Sequence, residues 1–293
     1  MTGDRREGVA VTVVGSANLD VVVAVPAFPA PGETVMGDHL EEVAGGKGLN
    51  QAVAAAAEAP AAFVGCVGDD EAGRLLLGEL DRAAVDVSRV VRSPQPTGRA
   101  YIEVTPDGEN RIVVMALANG TLEADAVGAA LTALQPRVVL AQLEVPLVAV
   151  EAAATWAADN DTRFVLNASP VRDLAPDLLA RCDPLIVNRG EAAAVLGSGA
   201  PRDAADQLAR RLAARVASVV VTDGAEGAYV ATNPGDVVHV PGLRVTPVDT
   251  TGAGDVFAGT LAASLSRGAS LADAAGAAND AAARIVQLSR AQR

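Results

Sequence analysis

Short apolar runs alternate along this chain with alanine-rich stretches of helical period. The runs AVTVVG (10–15), AAFVGCVG (61–68), RVVLAQ (137–142), RFVLNAS (163–169), DPLIVN (183–188) and SVVVTDG (218–224) hold apolar residues at consecutive positions. That is the pattern of strands buried on both faces. Between them LNQAVAAAAEA, EAGRLLLGELDRA, ADAVGAALTAL, PLVAVEAAATWAAD and DAADQLARRLAARV repeat their apolar residues at helical spacing. Strand–helix alternation of this kind predicts an α/β fold: a doubly wound, mostly parallel sheet flanked by helices. Ligands of such sheets collect beyond the carboxyl ends of the strands.

Two segments break the alternation. DVVVAVPAFPAPGETVMGDHLEEVAG (20–45) is extended and punctuated by proline, and TGRAYIEVTPDGENRIVVMA (97–116) reads as a hairpin turning at Thr105-Pro106-Asp107-Gly108. Together they predict a small antiparallel β lid, formed by about residues 18–45 and 97–116, on a single domain spanning 1–293. A lid of this kind covers a site or pairs with a second copy.

Composition narrows the chemistry. Half of the residues are hydrophobic but only 2% aromatic, which suits a Val- and Ala-rich α/β body. A net charge of -13 excludes a nucleic-acid partner, since no basic stripe exists to neutralise phosphates. A phosphorylated ligand therefore needs a local device such as the amides of a helix N-terminus. Cys66 and Cys182 form no CxxC and read as small buried hydrophobes in a reducing compartment. The MTGDRREG start carries no apolar signal region and no run reaches membrane-spanning length, so a soluble, cytoplasmic protein is expected. His39 and His239 belong to no HExxH motif or metal cluster, no GxSxG elbow occurs, and no GxGxxG follows the first strand. Zinc hydrolases, serine hydrolases and dinucleotide oxidoreductases are thereby disfavoured.

Two glycine turns hold the strongest signals. In VDTTGAGDVFAGTLAASL (248–265), Gly252, Ala253 and Gly254 predict an unobstructed turn opening a helix near Asp255. Free N–H groups and the positive dipole end there suit a phosphate or a developing anion. The structural alternative makes Asp255 a simple N-cap. In EVAGGKGLNQAVAAA (42–56), Gly46, Lys47 and Asn50 surround a second helix start, and Lys47 is the one lysine among 23 basic residues. Further polar residues fall at strand ends: Asn18 and Asp20 in GSANLD, Glu144 in AQLE, Asn188 and Glu191 in an N-x-x-E, and Thr222 and Gly224 in VTDG. Each alone is as readily a turn residue or a helix cap. Their gathering on one edge of one sheet points to a site.

GSANLD, FPAPGET, GGKGLNQAVAAA, VGDDEAG, QLE, N-x-x-E and DTTGAGD, in this order, resemble the ribokinase-like (PfkB) sugar kinase family from about Val11 to Val286. The resemblance implies ATP-dependent phosphorylation of the primary hydroxyl of a sugar, D-ribose first of all. Another furanose, such as deoxyribose, fructose or a nucleoside, is the alternative within the family; a catalytically weak sugar-binding homologue is the alternative outside catalysis. By the same resemblance Asn18, Asp20, Gly46, Lys47, Asn50 and Glu144 hold the sugar, and Asp255 is the base. Gly252, Ala253 and Gly254 form the anion hole. Asn188, Thr222, Gly224, Gly227, Gly254 and Asn279 lie near ATP, and Glu191 helps to place Mg²⁺. Asp249 and Thr251 bind a monovalent cation, K⁺, and the lid builds a homodimer. Asp255, at a helix N-terminus, is expected to have a lowered pKa. Family members usually continue past the last helix with a segment resembling VTRxGA. This chain instead reads IVQLSRAQR (285–293), which predicts a weakened K⁺ site, with Arg290 expected in solvent and its guanidinium standing in for the ion near Asp249 as the alternative.

Overall fold

The computed structural model describes residues 8–197, 203–232 and 235–288. In chain order the first strands are β1 (Val11–Val14), β2 (Asn18–Ala24), β3 (His39–Gly45), β4 (Ala61–Val64), β5 (Cys66–Gly68), β6 (Val91–Ser93), β7 (Gly98–Val104) and β8 (Asn110–Met115). The later ones are β9 (Val138–Ala141), β10 (Arg163–Asn167), β11 (Leu185–Asn188), β12 (Ser218–Thr222), β13 (Gly227–Thr232) and β14 (Val237–Pro241). The helices are α1 (Lys47–Ala56), α2 (Glu71–Arg82), α3 (Ala124–Leu134), α4 (Leu147–Asp159), α5 (Pro176–Ala180), α6 (Arg189–Leu196), α7 (Ala205–Ala213), α8 (Ala253–Ser266) and α9 (Leu271–Ile285).

The main sheet has the order β14-β13-β12-β11-β10-β9-β1-β4. It is parallel from β12 through β4, and β13 and β14 add an antiparallel edge. Each apolar run of the sequence supplies one of its parallel strands. Alternate residues feed two cores. Val14, Val64, Leu166, Val187 and Val221 point to one face, where they meet Leu131 of α3, Trp156 of α4 and Leu208 and Leu212 of α7. Val13, Phe63, Leu140, Val165, Ile186 and Val220 point to the other, against Leu49 of α1, Leu76 of α2 and Phe257 and Leu261 of α8. Leu261 is fully buried; truncating such a side chain to alanine typically costs about 2–5 kcal/mol.

The chain runs from β1 to β4 on one side and returns with β9 on the other side of β1. The order reverses between β1 and β9, which is where a doubly wound sheet opens its ligand crevice.

The two irregular segments form a separate four-stranded sheet, β3-β2-β7-β8. Its outer pairs, β2–β3 and β7–β8, are antiparallel hairpins, and the central pair β2–β7 is parallel. Because β2 starts soon after β1 ends, the lid rises from the crevice itself. Asp70, the N-cap of α2, secures its base: it accepts from Gly73 N at 2.8 Å, from Thr97 N at 2.8 Å and from Thr97 Oγ1 at 2.5 Å. Ile112, Val113, Val114 and Met115 of edge strand β8 all stand exposed. Among the described residues no helix is long and apolar enough to cross a membrane.

Candidate active site

The GGKG turn is seated on the connection between β1 and β2. Gly46 caps α1 with φ of 91°, a conformation that disfavours side chains, and a Cβ there would lie 2.8 Å from Asn18 N. A Cβ on Gly48 would lie 2.5 Å from Ser16 N, so the first turn of α1 rests directly on backbone. Glu144, just past β9, locks this contact. Its Oε2 accepts from Ser16 Oγ at 2.6 Å and from Lys47 N at 3.1 Å.

Asn18 and Asp20 occupy the base of β2, both buried. Asn119 fixes the amide of Asn18: Asn119 Nδ2 donates to Asn18 Oδ1 at 2.7 Å and to Ala17 O at 3.2 Å, while its Oδ1 accepts from Ala17 N at 2.9 Å. With its carbonyl engaged, Asn18 offers its amide N–H groups to a ligand.

The second glycine turn opens α8. The helix starts at Ala253 rather than near Asp255, and its N-cap is Gly252 with φ of 76°. No side chain caps this end. Asp255 therefore lies in the first turn and does not cap it, which removes the structural alternative. Its carboxylate is held from α1 instead, Oδ1 by Gln51 Nε2 at 2.9 Å and Oδ2 by Asn50 Nδ2 at 3.2 Å. An added Cβ at Gly252 or Gly254 meets nothing within 4 Å, so both glycines face open space. Of the amides there, Ala253 N already donates to Thr250 O at 3.2 Å and Asp255 N to Gly252 O at 3.0 Å.

The protonation of Asp255 differs from expectation. Burial pushes its carboxyl above the ordinary carboxylate range. The charge of Lys47 and the donors on Gln51 and Asn50 pull the other way without overcoming it, and Glu144 adds to the rise. The expected lowering rested on the helix end alone. At 7% exposure, loss of water outweighs that effect, so Asp255 is a better base than an exposed aspartate.

Beyond α8 a second cavity of about 290 Å³ opens, lined by Thr222, Gly224, Gly227, Gly254, Phe257 and Asn279 among others. Asn279 Nδ2 donates to Val240 O and Pro241 O, tying α9 to β14. Gly227 has a packing reason of its own, since a Cβ would meet Gly242 N at 2.3 Å. Thr222 Oγ1 reaches Val187 O at 3.4 Å. Asn188 and Glu191 sit at the neighbouring strand end, outside that lining, and cap α6 reciprocally. Glu191 N donates to Asn188 Oδ1 at 2.9 Å, and Asn188 N to Glu191 Oε2 at 2.8 Å.

Asp249 Oδ1 accepts from Thr251 N at 2.8 Å, and Val286 O accepts from Val248 N and Asp249 N. Residues 289–293, Arg290 included, lie outside the described residues. Among the described residues no group of three His, Cys, Asp or Glu side chains gathers as a metal cage. On the other side of the α8 turn, a cleft of about 710 Å³ runs between α1, α2 and α9, with Asn50, Thr251 and Gly252 at one end.

Five residues of this site carry no sequence signal strong enough to single them out: Ser16, Gln51, Asn119, Gln142 and Asn167. Gln51 and Gln142 stand within the quoted motifs, next to Asn50 and in QLE. Their side chains nevertheless meet only because α1, packed against α8, β1 and β4, lets Gln51 reach the residues at the ends of β9 and β10.

Residues 10–293 match the model of the pfkB family of carbohydrate kinases. The chain is similar to a ribokinase of Haemophilus influenzae, with 36% identity over 263 residues covering 87% of this chain and 84% of the relative. Among solved structures it is similar to the ribokinase of Thermotoga maritima (TM-score 0.87, 31% identity, 97% of this chain and 95% of that one). It is also similar to the ribokinase of Arabidopsis thaliana complexed with ribose and ATP (TM-score 0.86, 28% identity, 96% and 93% covered).

Proposed function

The chain belongs to the pfkB family of carbohydrate kinases, and from that premise we propose that it transfers the γ-phosphoryl group of ATP to the primary hydroxyl of D-ribose. The observation that carries this reading is the setting of Asp255. It is a buried carboxylate gripped by two amides of α1, beside a glycine turn that leaves open space at a helix N-terminus.

Ribose is neutral, so its recognition rests on hydrogen bonds of fixed geometry. Asn18, oriented by Asn119, supplies donors; Asp20 and Glu144 supply acceptors; Lys47 and Asn50 supply further donors beside Gly46. Lys47 suits this place because an ammonium on a flexible stem offers compact donors, whereas a guanidinium needs a broad planar partner. Phosphoryl transfer passes through a loose transition state, so orientation and charge stabilisation outweigh base strength. Asp255 orients the hydroxyl and accepts its proton as the O–P bond forms. The N–H groups of Gly252 and Gly254 in the Gly252-Ala253-Gly254 turn meet the charge on the transferred group, with the positive end of α8 behind them, while the Ala253 N–H is held by Thr250 O.

ATP is read into the cavity bounded by Thr222, Gly224, Gly227 and Asn279, with Asn188 at its approach. Mg²⁺ bound with the nucleotide supplies charge neutralisation on the phosphates. Glu191, whose Oε2 accepts from Asn188 N at 2.8 Å, would help to hold it, which asks little of the protein because Mg²⁺ usually keeps phosphate oxygens and waters as ligands. Asp249 and Thr251 stand where K⁺ is implied. A cytoplasmic location fits the charge and the two buried free thiols. The exposed apolar β8 edge supports a homodimer through the lid, because an uncovered edge of this kind invites pairing.

The deciding experiment is a coupled ADP-release assay with ribose, deoxyribose, fructose and nucleosides. Ribose should give the highest kcat/KM. A preference for another sugar replaces the substrate, and no sugar-dependent release with any of them leaves only binding.

A further inference from the structure

Behind Asp255 lies a row of buried amides that substrate recognition does not use. Gln51 Nε2 donates to Asp255 Oδ1 at 2.9 Å and to Asn167 Oδ1 at 3.1 Å. Gln51 Oε1 in turn accepts from Gln142 Nε2 at 2.8 Å. Gln51 and Gln142 are both fully buried, so neither side chain touches solvent.

The row has one polarity. An ionised carboxylate only accepts, so Gln51 must turn its N–H₂ toward Asp255 and its carbonyl toward Gln142. Gln142 then turns its N–H₂ toward Gln51, and its own carbonyl is left facing the Gly15 backbone. Gln142 Oε1 has no partner, and a Cβ on Gly15 would lie 2.0 Å from it. An unpartnered buried acceptor costs stability. Leucine or methionine at position 142 would fill the space without that cost. The arrangement is explained if the row serves the carboxylate at its far end.

We propose that Gln51, held by Gln142, is a positioning residue. It fixes the Asp255 carboxylate in one rotamer by its Oδ1 and leaves Oδ2, the oxygen touched by Asn50, to face the substrate hydroxyl. This rests on the reading of Asp255 as the base. Gln51 itself touches no substrate. Its bond favours the ionised carboxylate against the burial that opposes it, which keeps Asp255 able to accept a proton.

The test compares the wild-type chain with Gln51→Met, which keeps the volume and removes the donor, and with Gln142→Met, which releases the carbonyl of Gln51. Two readouts are taken: ADP release with ribose and ATP across the acid limb of the pH profile, and the titration of the Asp255 carboxyl by carbon-detected NMR. The Asp255 signal is assigned by its absence in Asp255→Asn. Gln51→Met should lower kcat about ten- to a hundredfold, the worth of a hydrogen bond to a charged group. KM for ribose and ATP should hold, while the acid limb and the Asp255 titration both move to higher pH. Gln142→Met should move both readouts the same way by less. A Gln51→Met enzyme with wild-type kcat and an unmoved acid limb overturns the proposal. If Gln51→Met does not fold, Gln142→Met decides by the same readouts. A wild-type chain without sugar-dependent ADP release sinks the kinase reading instead, and the NMR titration still decides whether Gln51 governs Asp255.

Discussion

Asn50 Nδ2 donates to Asp255 Oδ2 at 3.2 Å, joining the first turn of α1 to the first turn of α8 across 205 positions of sequence. The proposed sugar donor and the proposed base are thus in direct contact before any substrate arrives. A hydroxyl placed between them meets both at once, so binding and proton acceptance share a single geometry.

Asp255→Asn should keep sugar binding and lower turnover by about 10²- to 10⁴-fold, the usual worth of a general base. It should also stabilise the unliganded fold. The pKa of Asp255 is higher folded than unfolded, so the ionised side chain costs stability once pH exceeds the unfolded value, with the full cost above the folded one. Removing the charge should gain about 0.5–2 kcal/mol near neutral pH, with the gain fading in acid. Thermal melts at both pH values check this; a melting point unchanged or lowered at neutral pH contradicts the burial argument.

Lys47→Arg should raise KM for ribose about tenfold, equivalent to ~1.4 kcal/mol, and leave KM for ATP alone. Steady-state kinetics with each substrate varied in turn is the measurement. Weakened ATP binding with normal ribose saturation would mean that the GGKG turn serves the nucleotide.

Asp70→Ala removes the cap of α2 and both contacts to Thr97 at the base of the lid. The expected cost is about 1–3 kcal/mol. Partial burial works upward on the Asp70 carboxyl, but the donors on Thr97 and Gly73, helped by Arg99, outweigh it and leave the pKa lowered. Its stabilisation is therefore present above the ordinary aspartate value and lost as pH falls through the folded one. Urea unfolding of wild type and variant should differ most near neutral pH and converge in strong acid. A gap of constant size would assign the effect to packing.

Potassium should stimulate turnover weakly, or only at high concentration. Val286 O, at the end of α9, already accepts two backbone N–H bonds, and Asp249 Oδ1 accepts another from Thr251. Oxygens engaged in this way are poorer ligands, and cation affinity follows ligand number and freedom. KCl titrated against choline chloride at constant ionic strength reads this directly. Saturable activation at low potassium would refute it.

Val113→Glu on edge strand β8 should yield monomers if the lid pairs two copies, because it places a charge in the apolar contact. Sedimentation of wild type and variant at matched concentration checks it. Identical sizes would separate the exposed lid from any role in assembly.

Much of this protein was determined by its sequence alone. The buried strands were legible because a parallel sheet covered on both faces demands unbroken apolar runs, and the lid was legible because proline and alternation interrupt them. Gly46 and Gly252 announced the two helix starts, since left-handed backbone and close approach leave few other choices. The tertiary structure decided the rest. A sequence cannot show that Gln51, Gln142 and Asn167 meet beneath Asp255, because three amides spaced along a chain carry no period and no motif. Nor can it show that Asn119, far downstream, turns the amide of Asn18. The pKa of Asp255 is the sharpest case. A helix N-terminus is visible locally and argues for a lowered value. Burial depends on α1 folding over α8, and it reverses the sign.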